Sequence, residues 1–158
     1  DQYYRRFSNT YHVLLQVESI VLKGKNLPDV SPLVDSCFAA EMETLVLTAG
    51  HDVEKLRGII SIDVAREGDQ IVRMNGAAKA IRAGDMIMRE VDSICCSILA
   101  GQDNRSPIAP ESSHVLFVAY APVGVSGQAL QTHLKKIEEN VRLFSPRMVV
   151  EQLRLLSA

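Results

Sequence analysis

Apolar residues recur at helical spacing in the first third of the chain. Residues 11–22 form such a stripe, and Gly24, which follows Lys23, is a typical C-terminal stop for a helix. Ser31 followed by Pro32 is a strong helix start, because serine caps exposed N–H groups and proline fits the first turn. The sequence therefore predicts one helix over residues 11–22 and a second from Pro32 to residue 43.

The central part of the chain changes to short runs of apolar and polar residues between turn residues, which is typical of strands. The predicted strands are residues 45–48, 59–65, 71–74, 86–89, 94–99 and 114–120. A third helix is predicted over residues 126–144, with His133 on its apolar stripe, and a last strand over residues 148–156. This order indicates an α+β fold with layered sheets of short, mostly antiparallel or mixed strands packed with helices. A length of 158 residues predicts a single domain, 1–158.

Composition excludes several classes of protein. The chain has 17 Lys and Arg against 19 Asp and Glu, a net charge of -2, so it is not a strongly basic DNA-binding protein. Trp is absent and aromatic residues make up 5%, which argues against a broad base-stacking platform. No apolar run approaches the roughly 20 residues that span a bilayer, so we expect no membrane span and a cytoplasmic protein.

Three cysteines, Cys37, Cys95 and Cys96, are too few for a disulfide framework and predict buried thiols in a reducing compartment. Because Cys95 and Cys96 are neighbours in a predicted strand, at least one of them should face the core. No other cysteine or histidine stands at the spacing of a zinc site, so neither a metal nor a cofactor is predicted.

An ordered set of short segments resembles one known family. In chain order they are LKGKNLPDVSPLVD, HDVEKLRG, AREGD, MNG, GDMIM, SILAGQDNR and HVLFVAYAPVG. The set resembles the B3/B4 domain, the tRNA-editing module of the phenylalanyl-tRNA synthetase beta subunit, which also occurs as free-standing proteins. The resemblance covers residues 3–144. It implies a compact α+β domain that hydrolyses an amino acid wrongly attached to a tRNA.

The sequence departs from the synthetase pattern at positions that matter for the substrate. Ala49 stands where the family has a histidine, and His51 is displaced from that place. Val118 or Ala119 occupies the position of the acidic residue that meets the tyrosine hydroxyl in the family. A tyrosine hydroxyl left unpaired against valine costs on the order of 1–3 kcal/mol. These departures argue against tyrosine editing in its familiar form, and the sequence does not identify the substrate.

The adjacent residues His51 and Asp52 are one candidate for a ligand site. The imidazole of His51 could position water or contact a tRNA ribose, since histidine titrates near neutrality. A structural role for His51 stays equally open. Asp52 has a structural interpretation too, because aspartate commonly caps a short helix such as the one predicted over residues 53–56.

Residues 101–105, GQDNR, are the preferred candidate, because the resembling strand end lies at the editing pocket of the family. Gly101 permits close approach of a ligand to the backbone, and Arg105 could bind a carboxylate or phosphate. The alternative is a plain polar turn before Pro107. The predicted substrate-binding residues are His51, Asp52, Asn75, Ser97, Gly101, Asp103 and Arg105.

The sequence thus predicts a hydrolase that edits a mischarged aminoacyl ester in trans, with tRNA or aminoacyl-tRNA as its partner. The alternative is a non-catalytic module that binds tRNA or an amino-acid-like or nucleotide-like small molecule. No catalytic residue is predicted, because hydrolysis by positioned water leaves little trace in a sequence. Neither an oligomeric state nor completeness of the chain is indicated. The predicted RNA contacts, unless these are simply solvated charges, are Arg5, Arg6, Lys23 and Lys25.

Overall fold

The computed structural model describes residues 2–156, which contain four α-helices, one 3₁₀ helix and eight strands. The helices are α1 Gln2–Arg5, α2 His12–Lys23, α3 Pro32–Thr44 and α4 Gly127–Phe144, with a 3₁₀ helix at Val53–Lys55. The strands are β1 Leu47–Asp52, β2 Ile60–Val64, β3 Gln70–Val72, β4 Ala78–Ala80, β5 Met86–Glu90, β6 Ser93–Ser97, β7 Gly101–Gln102 and β8 Val115–Tyr120. The predicted α+β class is confirmed. None of the helices in residues 2–156 is long and apolar enough to cross a membrane.

The chain divides into two compact units. The first, called the helical unit, holds the described residues 2–3, residues 10–48 and residues 119–156. The second, called the sheet unit, holds residues 4–9 and 49–118. β1 and β8 pair in a two-stranded sheet, and each of these strands has residues in both units.

Local capping sets the ends of the helices in the helical unit. The side chain of Ser31 accepts a hydrogen bond from the Val34 N–H, and Pro32 is the first residue of the helix. α3 therefore begins where the sequence predicts. Ser126 caps α4 in the same way. Gly24 ends α2 in the left-handed conformation (φ 63°), which glycine adopts without steric cost.

The core of the helical unit forms where α3 packs against α4. Its buried apolar residues are Val13, Cys37, Ala40, Ile137 and Val141. The buried positions of α4 follow its apolar stripe. In α2 only Val13 is buried, and Leu14, Leu15, Val21 and Leu22 of its predicted apolar stripe are exposed.

The sheet unit contains a four-stranded antiparallel sheet in the order β2-β5-β6-β7 and the hairpin β3-β4. Between β5 and β6 the register moves by one residue: Met88 pairs with Cys96 but Arg89 pairs with Ile94. Cys95 is therefore the extra residue of a bulge, and Cys95 and Cys96 are both buried instead of alternating between faces. The core beneath the sheet consists of Ala65, Ile71, Ile81, Ile87 and Ile94.

Three predicted details are wrong. The first strand starts at Leu47 because Leu45 takes the left-handed conformation (φ 57°) and donates its N–H to the Glu41 carbonyl to cap α3. Residues 148–156 form no strand: they pair with none of the described strands, although their apolar residues alternate with polar ones over part of the segment. β4 and β7, only three and two residues long, were not predicted, since runs this short show no measurable alternation.

Candidate functional site

His51 lies in β1 and is the most deeply buried titratable residue of the candidate set, with an exposure of 0%. Its Nδ1 atom lies 2.8 Å from Ser106 Oγ and 3.1 Å from Gln102 Nε2. A backbone bridge between His51 and Pro107 fixes the strand beside the segment that carries both partners. The backbone therefore holds the imidazole in one orientation within the sheet unit.

A count of hydrogen atoms decides the tautomer of His51. Ser106 Oγ donates its single hydrogen to Asp103 Oδ1, 2.6 Å away, so it can only accept from the imidazole. The two hydrogens of Gln102 Nε2 face the carbonyls of Gly50 at 2.7 Å and Ser106 at 3.3 Å. We therefore assign the proton of His51 to Nδ1, which leaves a bare lone pair on Nε2.

The Nε2 atom of His51 has no hydrogen-bond partner among residues 2–156. Burial lowers the pKa of His51 to about 4, although the carboxylates of Asp103 and Glu90 act in the opposite direction. The imidazole is consequently neutral at pH 7. A buried neutral imidazole with one free lone pair can accept a proton or a hydrogen bond from a ligand.

Two buried carboxylates and one arginine adjoin this histidine. Arg105 Nη2 lies 2.5 Å from Glu90 Oε1, and Arg105 Nε lies 3.1 Å from Asp103 Oδ2. The other oxygen of Glu90 accepts the Arg57 N–H at 2.5 Å. Arg105 is therefore held from two sides by carboxylates of the protein itself. We call this group the His51 network; its members are His51, Glu90, Gln102, Asp103, Arg105 and Ser106.

The segment after β7 positions most of the His51 network. Asp103 Oδ1 accepts both the N–H of Ser106, at 3.1 Å, and its hydroxyl, which closes a tight turn over three residues. A backbone bridge between Asp103 and Arg73 holds the start of this turn. The predicted residues His51, Asp103 and Arg105 are thus brought together in one network.

Sequence reasoning missed Ser106 and Glu90, and it included Gln102 only as part of the candidate segment 101–105. The spacing of Asp103 and Ser106 is that of a side-chain-closed turn, which is a usable signal. The signal for Glu90 is weaker. Glu90 alternates with Met86 and Met88 along β5, so its side chain lies on the same side of the strand as theirs, and Glu90 is buried.

Asp52 has the structural role that its sequence position also allows. Its Oδ1 accepts the Glu54 N–H at 3.0 Å and caps the 3₁₀ helix, while its Oδ2 accepts the Ser112 hydroxyl at 2.6 Å. The Ser112 hydrogen bond is the largest cause of the lowered pKa of Asp52. Lys55 Nζ lies 3.3 Å from the same carboxylate and completes this structural contact.

Ser97, Asn75 and Gly101 also serve local structure. Ser97 is buried, donates its hydroxyl to Asp85 Oδ2 and accepts the Ala100 N–H at 2.8 Å. Asn75 is exposed in the β3-β4 turn, where its Oδ1 accepts the Ala77 N–H at 3.1 Å. Gly101 is exposed and has a φ of 87°, a conformation that favours glycine. The contacts of Ser97 and Asn75 thus lie outside the His51 network.

The four predicted RNA contacts are all exposed. Arg5 and Arg6 belong to the sheet unit, and Lys23 and Lys25 belong to the helical unit. The guanidinium of Arg6 lies 5.5 Å from the centre of the Phe7 ring. Their role in RNA binding stays a prediction.

Comparison with known proteins adds no family to this picture: neither a family model nor a curated protein matches the sequence. Within residues 2–156, the side chains of His, Cys, Asp and Glu form no group of three or more that could hold a metal ion. The chemistry of the candidate site is therefore argued from the His51 network alone.

Proposed function

We propose that this chain is a B3/B4-type domain that hydrolyses a mischarged aminoacyl ester in trans, with His51 as the general base. The observation that supports the proposal is the bare, buried Nε2 atom of His51, whose ring is oriented by Ser106 and Asp103. An oriented imidazole with a free lone pair is the group that general-base catalysis requires.

The hydrolytic step balances without a cofactor. His51 Nε2 takes a proton from a water molecule, and the water oxygen attacks the ester carbonyl carbon. The bond between that carbon and the ribose oxygen breaks, and the proton passes from Nε2 to the leaving oxygen. The carboxylates of Asp103 and Glu90 favour the imidazolium that forms in between, because they already act to raise the pKa of His51.

The protein's partner in this proposal is an aminoacyl-tRNA in the cytoplasm, with Arg5, Arg6, Lys23 and Lys25 as candidate phosphate contacts. With a net charge of -2, phosphate contacts in this proposal depend on individual basic side chains and not on an overall positive charge. Valine or alanine at positions 118 and 119 favours an amino acid other than tyrosine as the group removed.

A second candidate is a non-catalytic module that binds an amino-acid-like or nucleotide-like small molecule. One observation favours it: burial lowers the pKa of His51 to about 4, which makes the imidazole a weak base at pH 7, while its Nε2 atom can still accept a hydrogen bond from a ligand.

The deciding experiment is deacylation of a panel of mischarged tRNAs by the purified protein. Hydrolysis predicts release of at least one amino acid faster than the buffer control. Release no faster than buffer across the panel, combined with thermal stabilisation by free amino acids or nucleotides, would replace the hydrolase by the binding module.

A further inference from the structure

We infer that β2, at the edge of the four-stranded sheet, is an interface that pairs with β2 of a second copy of this chain. The two strands run antiparallel around a two-fold axis at Ile62, so that the two sheets join into one. This interface is independent of the proposed hydrolysis, because β2 contains no residue of the His51 network.

The backbone of β2 is paired on one side alone. β2 is the first strand in the order β2-β5-β6-β7, so within residues 2–156 it has β5 as its one neighbour. Just after β2, the Ala65 N–H donates to the Asp85 carbonyl at 2.8 Å, and just before it the Ile59 carbonyl accepts the Val91 N–H at 3.5 Å. Hydrogen-bonded positions alternate in an antiparallel pair, so the odd-numbered residues from 59 to 65 face β5 and the even-numbered ones face away from it.

The even-numbered residues of β2 are Ile60, Ile62 and Val64. The Val64 N–H donates to the carboxylate of its neighbour Asp63 at 2.8 Å. Along the rest of this edge, the N–H and C=O groups of Ile60 and Ile62 have no hydrogen-bond partner among the described residues. β2 also contains neither the proline nor the lysine with which many proteins block a strand edge. Such an edge is a template for pairing with another strand.

The side chains of β2 favour pairing as well. Ile62 is 45% exposed and Val64 is 54% exposed, and both are β-branched residues that pack well against a neighbouring strand. The one charged residue of β2, Asp63, is paired within the sheet unit with Arg66 and Arg89, each 3.4 Å away. The edge thus presents apolar side chains and no uncompensated charge.

An axis at Ile62 makes β2 complementary to itself. Ile62 then lies opposite the partner's Ile62, Ile60 lies opposite the partner's Val64, and Ser61 lies opposite the partner's Asp63. Residues that face outward meet residues that face outward, as antiparallel hydrogen bonding requires. Apolar side chains meet on one face of the joined sheet, and no charges of like sign are opposite each other on the other face.

Neighbouring registers are less favourable. An axis at Asp63 would place two carboxylates opposite each other, which is destabilising. An axis at Ser61 would place Val64 opposite the partner's Gly58, which lies outside the strand. An axis between two residues would set outward-facing groups against groups that already bond to β5. The register at Ile62 is the one that pairs all five residues of β2.

Other edges of the sheet unit offer less to a second copy. β7, at the far end of the same sheet, has two residues, and a backbone bridge between Asp103 and Arg73 follows it. β4 has three residues, with Lys79 at its centre, so its pairing with a second β4 in register would oppose two cations. We therefore assign the interface to β2.

Sedimentation velocity of the full purified chain over a concentration series tests the interface. We expect the mass to rise from 17.4 kDa toward twice that value as the concentration increases. Dissociation should begin at micromolar concentrations, because one pair of short strands forms a small interface. A mass that stays at 17.4 kDa up to about 1 mM would overturn the inference.

The variant Ile62→Lys places two ammonium groups opposite each other on the axis. We expect it to raise the Kd of the dimer at least about tenfold. Val72→Lys is the matched control, because Val72 is also a β-branched strand residue with an exposure of 45% but lies in β3. It should dimerise as the wild type does. An unchanged Kd in Ile62→Lys would show that the chains associate through another surface and would overturn the assignment.

Mixing two variants tests the position of the axis. Ile62→Lys and Ile62→Glu should each dimerise poorly alone, but in a mixture the lysine of one chain lies opposite the glutamate of the other. We expect the mixture to associate at least about tenfold more tightly than either variant alone. Recovery on mixing also shows that both variants are folded. Two folded variants, each with the circular dichroism of the wild type, that stay monomeric when mixed would overturn pairing around Ile62.

Discussion

The two units each bury a histidine completely, and these two histidines differ in one respect. His51 in the sheet unit and His133 in the helical unit are both 0% exposed, and burial lowers the pKa of each to about 4. Both ring nitrogens of His133 have partners: Nδ1 lies 2.6 Å from Thr44 Oγ1, and Nε2 bonds Thr48 Oγ1. His51 has a partner on Nδ1 alone.

This difference shows that the number of hydrogen-bond partners of the ring, and not its burial or pKa, separates the candidate functional histidine from the structural one. Thr44 donates its hydroxyl to the Ala40 carbonyl at 2.7 Å and so accepts from His133 Nδ1, which leaves Nε2 to accept from Thr48. Both nitrogens of that ring are used in holding α3, α4 and the start of β1. In contrast, His51 Nε2 has no hydrogen-bond partner among residues 2–156.

The largest expected effect is on catalysis. Replacing the His51 imidazole by the amide in His51→Gln removes the base and should lower the deacylation rate about 10²- to 10⁴-fold. His133→Gln is the matched control and should keep the rate within about threefold, provided its melting curve shows a folded protein. Equal losses in two folded variants would contradict the assignment of the base.

The next effect is on stability, and here the His133 variant should lose more than the His51 variant. His133→Ala opens a cavity and leaves two threonine hydroxyls without their partner, so we expect a loss of about 3 kcal/mol in the free energy of unfolding. His51→Ala loses one hydrogen bond instead of two and should cost about 1 kcal/mol less. Urea unfolding of both variants measures the difference, and an equal or larger cost for His51→Ala would break the comparison.

Glu41, an acid in the helical unit, predicts a pH dependence of stability that opposes the one caused by the two histidines. Burial raises the pKa of Glu41 in the helical unit to about 7, partly opposed by its bond from the Thr48 N–H. The folded state thus holds a proton on Glu41 that the unfolded state releases above about pH 4.5, so this residue makes stability fall from pH 4.5 to 7. The two histidines, with lowered pKa values, make stability rise from about pH 4 to 6.5.

Glu41→Gln should therefore remove the opposing contribution of Glu41 and leave the rise in stability with pH that the histidines cause. We expect the gain in unfolding free energy between pH 5 and pH 7 to be about 2 kcal/mol larger in the variant than in the wild type. Urea titrations at the two pH values measure it. Glu43→Gln is the control, because Glu43 is an exposed acid two residues after Glu41. An unchanged difference would show that Glu41 is ionised throughout this range.

The sequence predicts the helices far better than the His51 network, for a physical reason. Ser31-Pro32 and Gly24 determine helix ends through contacts within a few residues, so a local pattern contains the information. His51 and Ser106 are 55 positions apart, and only the pairing of strands brings them together. Residue type points to His51, and the resemblance of residues 101–105 to the pocket end of the family's strand points to Asp103 and Arg105. Nothing in a local pattern predicts which atom of His51 lacks a partner.

The smallest expected effect concerns the tautomer that distinguishes His51 from His133. Ser106→Ala removes the acceptor of the Nδ1 proton, so the tautomer with its proton on Nδ1 loses its hydrogen bond and the tautomer with its proton on Nε2 should become populated. With its lone pair lost, His51 should deacylate about tenfold more slowly with KM unchanged. Nitrogen-15 NMR of the imidazole reads the tautomer directly, a signature that a loss of packing would not produce. Thr44→Val makes the corresponding change at His133 and should leave the rate unaltered. A His51 spectrum that keeps the proton on Nδ1 in Ser106→Ala would show that Ser106 is not its positioning residue.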